Sequence, residues 1–250
     1  MRLLRPLLVT FGLLLAWDLL VRLAGLPPFI LPPPLAVAEA LAGRAGLILP
    51  HAAVTAAEIL LGMLLGSLAG MAVAMLLGAF RGARPWVLPL LVMSQALPVF
   101  ALAPLLVLWL GYGMASKVAM AVLIIFFPVA AAFYDGLRRT ESGWLELART
   151  MGAGSHAVLW QIRMPAAMPA LASGLRVAAA VAPIGAVIGE WVGSSRGLGY
   201  LMLQANARMQ VDLMFACLVV LAVMALALWF GVDRLLRRLV RWQPETLFHA

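Results

Sequence analysis

Charge is the scarcest ingredient of this 250-residue sequence: Asp, Glu, Lys and Arg make up 11% of it, against 65% hydrophobic residues and a mean hydropathy of +1.05. Soluble domains carry about 25% charged and about 45–50% apolar residues, so a water-soluble globule is excluded. Cysteine occurs once, at Cys217, which excludes an intramolecular disulfide framework and any multi-cysteine metal site. The three histidines, His51, His156 and His249, are far apart and form no HExxH-type ligand spacing, so no metal is expected. Lysine also occurs once, as Lys117 between Ser116 and Val118. A phosphate-cradling GxxxxGK[ST] loop is therefore missing, and the chain cannot hydrolyse ATP by that device. No GxSxG elbow is present either, and Cys217 has no partner that would make it a nucleophile. No catalytic residue and no bound cofactor are expected.

What is present is a series of long apolar runs. A bilayer core is crossed by about 20 mostly apolar helical residues. Residues 7–23, 55–80, 86–110, 118–134, 171–192 and 213–232 meet that demand, predicting an all-α integral membrane protein of one domain with six spans. Asp18 and Arg22 in the first run are spaced i, i+4 and can pair, which lowers the cost of insertion. Arg2 and Arg5 open it like a signal peptide, but no small-residue cleavage site comes after them, so it reads as a retained anchor. Six spans put both termini on one side. That side then holds Arg2, Arg5, Arg81, Arg84, Arg138, Arg139, Arg149, Arg163, Arg234, Arg237, Arg238 and Arg241. The other side holds only Arg44, Lys117, Arg196 and Arg208, so cytoplasmic termini are favoured. The net charge of +8 is thus mainly a topology signal rather than a nucleic-acid footprint.

Four features inside or between the runs have functional weight. The second run carries Gly62, Gly66, Gly70, Ala74 and Gly78, small residues on one helix face that let another backbone approach, either within the bundle or at a subunit interface. The third holds Pro89, Pro98 and Pro104, each removing a helix hydrogen bond, with Ser94 and Gln95 just before the middle one. Polar groups beside interrupted backbone at membrane depth fit a translocation path, and equally an interhelical hydrogen bond. The fifth run ends at Glu190 and Trp191, ahead of GSSRGLGY at residues 193–200; Glu190 can line the path or pair with Arg196. Upstream, PPFILPPP at residues 27–34 is extended, and a weakly amphipathic stretch near 35–42 comes next at the outer surface.

The longest interval without a span is residues 136–170, on the predicted cytoplasmic side. Residues 141–151 read as a short helix with Trp144, Leu147, Ala148 and Met151 at helical spacing. Gly152 is placed to turn the chain at positive φ, Ser155 to cap a second short helix and Pro165 to end it. Such an elbow can rest on membrane lipid or dock in a partner's groove.

The spacing Glu146-x-Ala148-xxx-Gly152-(x9)-Ile162-x-Met164-Pro165 resembles the EAA loop of ABC importer permeases, EAA-xxx-G-(x9)-I-x-LP, with Leu147 and Met164 as apolar departures. The resemblance covers roughly residues 30–242. Segments such as LPVFALAPLLVLWLGYG at 97–113 look like the nitrate/sulfonate/taurine branch. It implies a type I importer (MetI-like) permease fold and a second permease copy completing a homodimer. It also implies a separate ATP-binding cassette subunit that uses ATP and Mg, and an extracytoplasmic solute-binding protein in a bacterial inner membrane. Glu146, Ala148, Gly152, Ile162 and Pro165 would couple to the ATP-binding subunit, and Ser94, Gln95 and Glu190 would lie on the path. The branch often has arginine where this chain has Glu58; with GEWVGSSRGLGYLMLQANARMQ, that looks closer to permeases for pyrimidine precursors of thiamine. Sulfonate, taurine or nitrate is the alternative cargo. A stand-alone channel or carrier would not need the EAA-like loop, and a scaffold would not explain the proline-interrupted third run.

Overall fold

The computed structural model describes the backbone of residues 4–242 and the side chains of 8–242 except at positions 81, 95 and 96. Arg2 and His249 lie outside the described residues, and so do the side chains of Arg5, Arg81 and Gln95. Every regular element among the described residues is helical: α1 (Leu4–Leu23), α2 (Pro34–Gly43), α3 (Ala45–Ala79), α4 (Arg84–Ala96), α5 (Val99–Leu110), α6 (Met114–Arg138), α7 (Ser142–Thr150), α8 (Ser155–Val158), α9 (Met164–Gly193), α10 (Leu198–Ala207) and α11 (Val211–Leu239). In a medium that offers no hydrogen bonds, a helix satisfies its backbone internally, which is why the apolar runs take this form.

Four helical runs are long and apolar enough to cross a membrane: Ala45–Ala79, Met114–Arg138, Ser155–Gly193 and Val211–Leu239. The α4–α5 pair, bent by 101°, is a fifth if taken as one broken span. The first apolar run forms α1, 20 residues long, in which Asp18 and Arg22 do pair, at 2.7 Å. Several boundaries move outward from those expected of the sequence. The second run begins at Ala45 rather than 55, and the fourth extends to Met114–Arg138. At about 1.5 Å per residue the 35-residue α3 is about 52 Å long, well beyond a bilayer core of about 30 Å. Lys117, counted as a loop charge, sits inside α6 and is 4% exposed.

Of the three prolines in the third run, only Pro98 breaks the helix. Pro89 and Pro104 remain inside α4 and α5, whereas Leu97 and Pro98 are extended. A proline disfavours helical backbone at the residue before it, and here that preference prevails. Pro165 does not end a helix, contrary to expectation. It sits in the first turn of α9, where a missing N–H costs little, and a π turn at Leu159–Arg163 joins α8 to α9 in one 39-residue run. Ser155 does not cap α8 either: the cap position is Gly154, with no side-chain capping bond.

The centre of the bundle is α6, lying between α3 and α9. The glycine stripe faces it: a Cβ at Gly62 would overlap Ala121, one at Gly66 would come within 2.8 Å of Ile125, and one at Gly70 within 2.8 Å of the Phe126 carbonyl. From the other side, a Cβ at Gly174 would come within 2.7 Å of the Pro128 carbonyl, and one at Gly185 within 2.7 Å of Ala121 Cα. Small residues on both flanks let three backbones approach closely, and dispersion over that contact holds the trio where lipid competes for apolar surface. A second apolar cluster, built on Val37, Ile48, Leu198, Leu201, Leu213 and Cys217, joins α2, the start of α3, α10 and the start of α11.

Candidate functional site

One end of the bundle carries the elbow predicted from residues 136–170. α7 runs from Ser142 to Thr150 and exposes Trp144 and Leu147; Met151, just past its end, is 78% exposed. Ala148, expected on the same side, is instead turned against the body and 5% exposed. Glu146 is exposed. Gly152 has φ +78°, and its N–H donates to the Arg149 carbonyl while the Ala153 N–H donates to Ala148, both at 2.9 Å. Those two bonds form a Schellman stop, in which the residue accepting the longer-range bond and the left-handed residue are four apart. The Ala148–Gly152 spacing therefore has a backbone cause. Ile162 is half-buried in the π turn, and Pro165 is exposed at the start of α9.

Arg163 fastens this elbow to the spans. Its Nε and Nη2 donate to the Leu137 carbonyl at 3.1 and 2.7 Å, and its Nη1 donates to the Gly78 carbonyl at 3.2 Å. Those carbonyls belong to the last turns of α6 and α3, which have no intrahelical donors and carry the negative end of the helix dipole. Arg84 Nε donates to the neighbouring Leu77 carbonyl at 3.1 Å. Arg84 and Arg138 both lie over the Tyr134 ring, 5.9 and 5.6 Å from its centroid.

The opposite end holds a buried polar knot. Glu190, near the end of α9, is 1% exposed. It accepts a 2.6 Å hydrogen bond from the Thr55 hydroxyl and another from the Gly199 N–H. The Leu198 N–H donates to the same Thr55 oxygen at 2.8 Å, and the Gly197 N–H donates to His51 Nδ1 at 3.0 Å. Gly197 has φ +111°, and a Cβ there would run into the Glu190 carboxylate. The GSSRGLGY segment thus wraps its backbone donors over one carboxylate. Among the described residues no ion pair joins Glu190 to Arg196; the hydroxyl and backbone donors of the knot occupy the carboxylate instead. Glu58 is buried beside it at 1% exposure, with Oε2 lacking a hydrogen-bond partner among the described residues. Lys117, packed against Gly189, donates to the Tyr112 and Gly113 carbonyls at 2.7 and 2.8 Å.

At the α4–α5 break, Ser94 donates within its own helix to the Leu91 carbonyl at 2.7 Å; Gln95 lies in α4, its side chain outside the described residues. The structure therefore does not bring Ser94 and Glu190 together in any hydrogen bond among the described residues. Thr55, Lys117 and Arg163 were missed from sequence. The available signals were Glu58 three residues from Thr55 in an otherwise uncharged run, and an arginine inside the EAA-like pattern. Among the described residues no group of three or more His, Cys, Asp or Glu side chains could hold a metal ion.

Comparison with known proteins accords with this architecture. Residues 59–243 match the family described as "Binding-protein-dependent transport system inner membrane component". A probable ABC transporter permease of Haemophilus influenzae is 56% identical, over 96% of this chain and 98% of its own. The riboflavin transport system permease of Chloroflexus aurantiacus is 37% identical, with coverage of 95% and 90%. The formylaminopyrimidine transport permease of Halalkalibacterium halodurans is 34% identical over 97% of each chain. Among solved structures, an inward-facing MetNI methionine ABC transporter has a chain of similar fold, with TM-score 0.69, 19% identity and coverage of 78% of this chain and 97% of that one. The chain is therefore a member of the binding-protein-dependent ABC transporter permease family, a multi-pass membrane component whose helices adopt the MetI-like fold.

Proposed function

We propose that this permease is half of a homodimeric pathway that imports a small organic solute, driven by a separate ATP-binding subunit docked on α7. The observation that carries the reading is the exposed apolar strip Trp144–Leu147–Met151 on a short helix stopped by Gly152 and leading, through α8 and the π turn, into a span-length helix. Exposed apolar side chains on a polar-flanked helix fit a partner's groove, and Glu146, Ala148, Gly152, Ile162 and Pro165 form or shape that contact. The termini are cytoplasmic in this reading, which puts α7 on the side where ATP is available. A solute-binding protein delivers cargo at the α10 end. Closure of the ATP-binding subunits pushes α7 and opens the path outward, because contacts at α7 differ between the two states. Ser94, Gln95 and Glu190 remain the proposed path residues.

Purification of the tagged chain in mild detergent tests this assignment: an ATP-binding subunit is retained by the wild type and lost on Glu146→Arg or Gly152→Val. A chain that comes down without one would overturn it. For cargo we favour a pyrimidine precursor of thiamine, supported by Glu58 and by likeness to the formylaminopyrimidine permease. The riboflavin permease is slightly more identical, so thermal shifts of the cognate binding protein with formylaminopyrimidine, riboflavin and taurine decide the matter. A shift with riboflavin or taurine alone would overturn the pyrimidine assignment.

A further inference from the structure

We infer that Arg163 is the positioning residue that makes α3 and α6 move with the coupling segment, and so transmits the ATP-driven stroke to the bundle. This rests on the importer function proposed for the chain. The guanidinium belongs to the last residue of the π turn, inside the chain that would receive the push, yet three of its hydrogen bonds end on other helices. Two go to the Leu137 carbonyl at the end of α6 and one to the Gly78 carbonyl at the end of α3.

Covalent connection carries a push into α9, since α8, the π turn and α9 are one run, and back into the end of α6 through the three residues 139–141. α3 has no such link, Arg163 being 85 residues from Gly78, and the bonds to Leu137, 26 residues away, clamp the end of α6 to the π turn as a second tie beside the short 139–141 connection. A planar fork with fixed donor directions resists shear better than apolar contacts, which slide at little cost. The π turn has a part in this. One extra residue in the turn rotates every later residue about the helix axis, and Arg163 then faces the two helix ends. The same face makes ordinary contact there: Leu159, also in the π turn, has its Cδ1 3.6 Å from the place a Gly78 Cβ would take. Arg84 performs a parallel service inside the α3–α4 corner through its bond to Leu77, but it belongs to α4 rather than to the elbow, so it cannot substitute.

The test uses the permease with its co-purified ATP-binding subunit in proteoliposomes, and the cognate solute-binding protein as the probe. Arg163→Met should keep the subunit bound and keep basal ATP hydrolysis, while stimulation of hydrolysis by the binding protein falls about fivefold or more, the scale of an ordinary coupling energy. Arg163→Lys, which keeps the charge but not the fork, should fall between. Spin labels at Gly82→Cys and Gly154→Cys, both exposed positions with open space, in a Cys217→Ala background, provide the second readout. Their separation should be unchanged by ATP and vanadate in wild type and should shift in Arg163→Met. Equal stimulation in Arg163→Met and wild type overturns the inference, as does a wild-type label distance that changes through the cycle. Failure of both variants to retain the ATP-binding subunit also overturns it, because Arg163 would then be needed only for assembly. A wild type that retains no subunit removes the importer function itself, a distinguishable outcome.

Discussion

Thr55 shows how much a single hydroxyl can organise. It donates to Glu190 and accepts from the Leu198 N–H, so one oxygen joins α3, α9 and the start of α10. Removing it leaves a buried carboxylate and a buried N–H each short of a partner. Leaving a buried donor or acceptor without a partner costs about 1–3 kcal/mol, so Thr55→Val should lower thermal stability in detergent by about 2 kcal/mol, while Thr55→Ser should restore most of it. Equal melting of the valine and serine variants would remove the hydroxyl from this role. Gly152 is a residue of the opposite kind, with nothing within 4 Å of where a Cβ would stand. Any penalty for substitution there is conformational. Gly152→Asn should keep the elbow, since asparagine tolerates left-handed backbone, while Gly152→Val should lose subunit binding because a β-branched residue does not. Retention of the subunit by Gly152→Val would show that the turn does not set the docking geometry.

At the scale of elements, α6 is the constraint on everything else. Ala121 touches the stripe of α3 through Gly62 and the α9 backbone neighbourhood through Gly185, so it has no free direction for growth. Overpacking costs about 1–3 kcal/mol when neighbours can shift, and here both neighbours are helix backbone. Ala121→Leu should therefore give no monodisperse protein, while Val223→Leu, on the exposed face of α11, should behave as wild type. Comparable yields would mean that the three helices can separate without harm. The glycine spacing that makes this packing possible is visible in the sequence, because small residues every fourth position share one face of a helix. Its partner is not visible, since any smooth helix would fit. The π turn is hidden for a related reason: it changes the register by one residue without changing composition, and Pro165 then reads as a stop although it opens α9.

At the scale of the molecule, one apolar cluster runs the length of α6 and a smaller one sits at the end that holds the polar knot. The large one surrounds α6 and reaches Leu159 beside the elbow; the smaller holds Cys217 with Leu198, Leu213 and Ile48. Cys217 is fully buried and is the chain's one thiol, which makes it a native reporter of the smaller cluster. A membrane-permeant maleimide should label it slowly in the wild type, since reaction needs access. Labelling should rise in Thr55→Val, which loosens α10, and should stay at the wild-type rate in Gly152→Val, whose lesion is at the other end. Equal acceleration by both would mean that the bundle opens as one unit.

The sequence by itself determined the class of protein: its hydropathy demands a bilayer, its one lysine leaves no phosphate-binding lysine loop, and the EAA-like spacing locates the elbow. These are local properties, set by residues close together in the chain. Tertiary structure alone decided which polar groups meet. Thr55 is 135 residues from Glu190, and Arg163 is 85 from Gly78, so no spacing rule connects them. Their pairing exists because close glycine packing of α3, α6 and α9 brings helix ends together, and orphaned carbonyls and buried carboxylates there must find a donor.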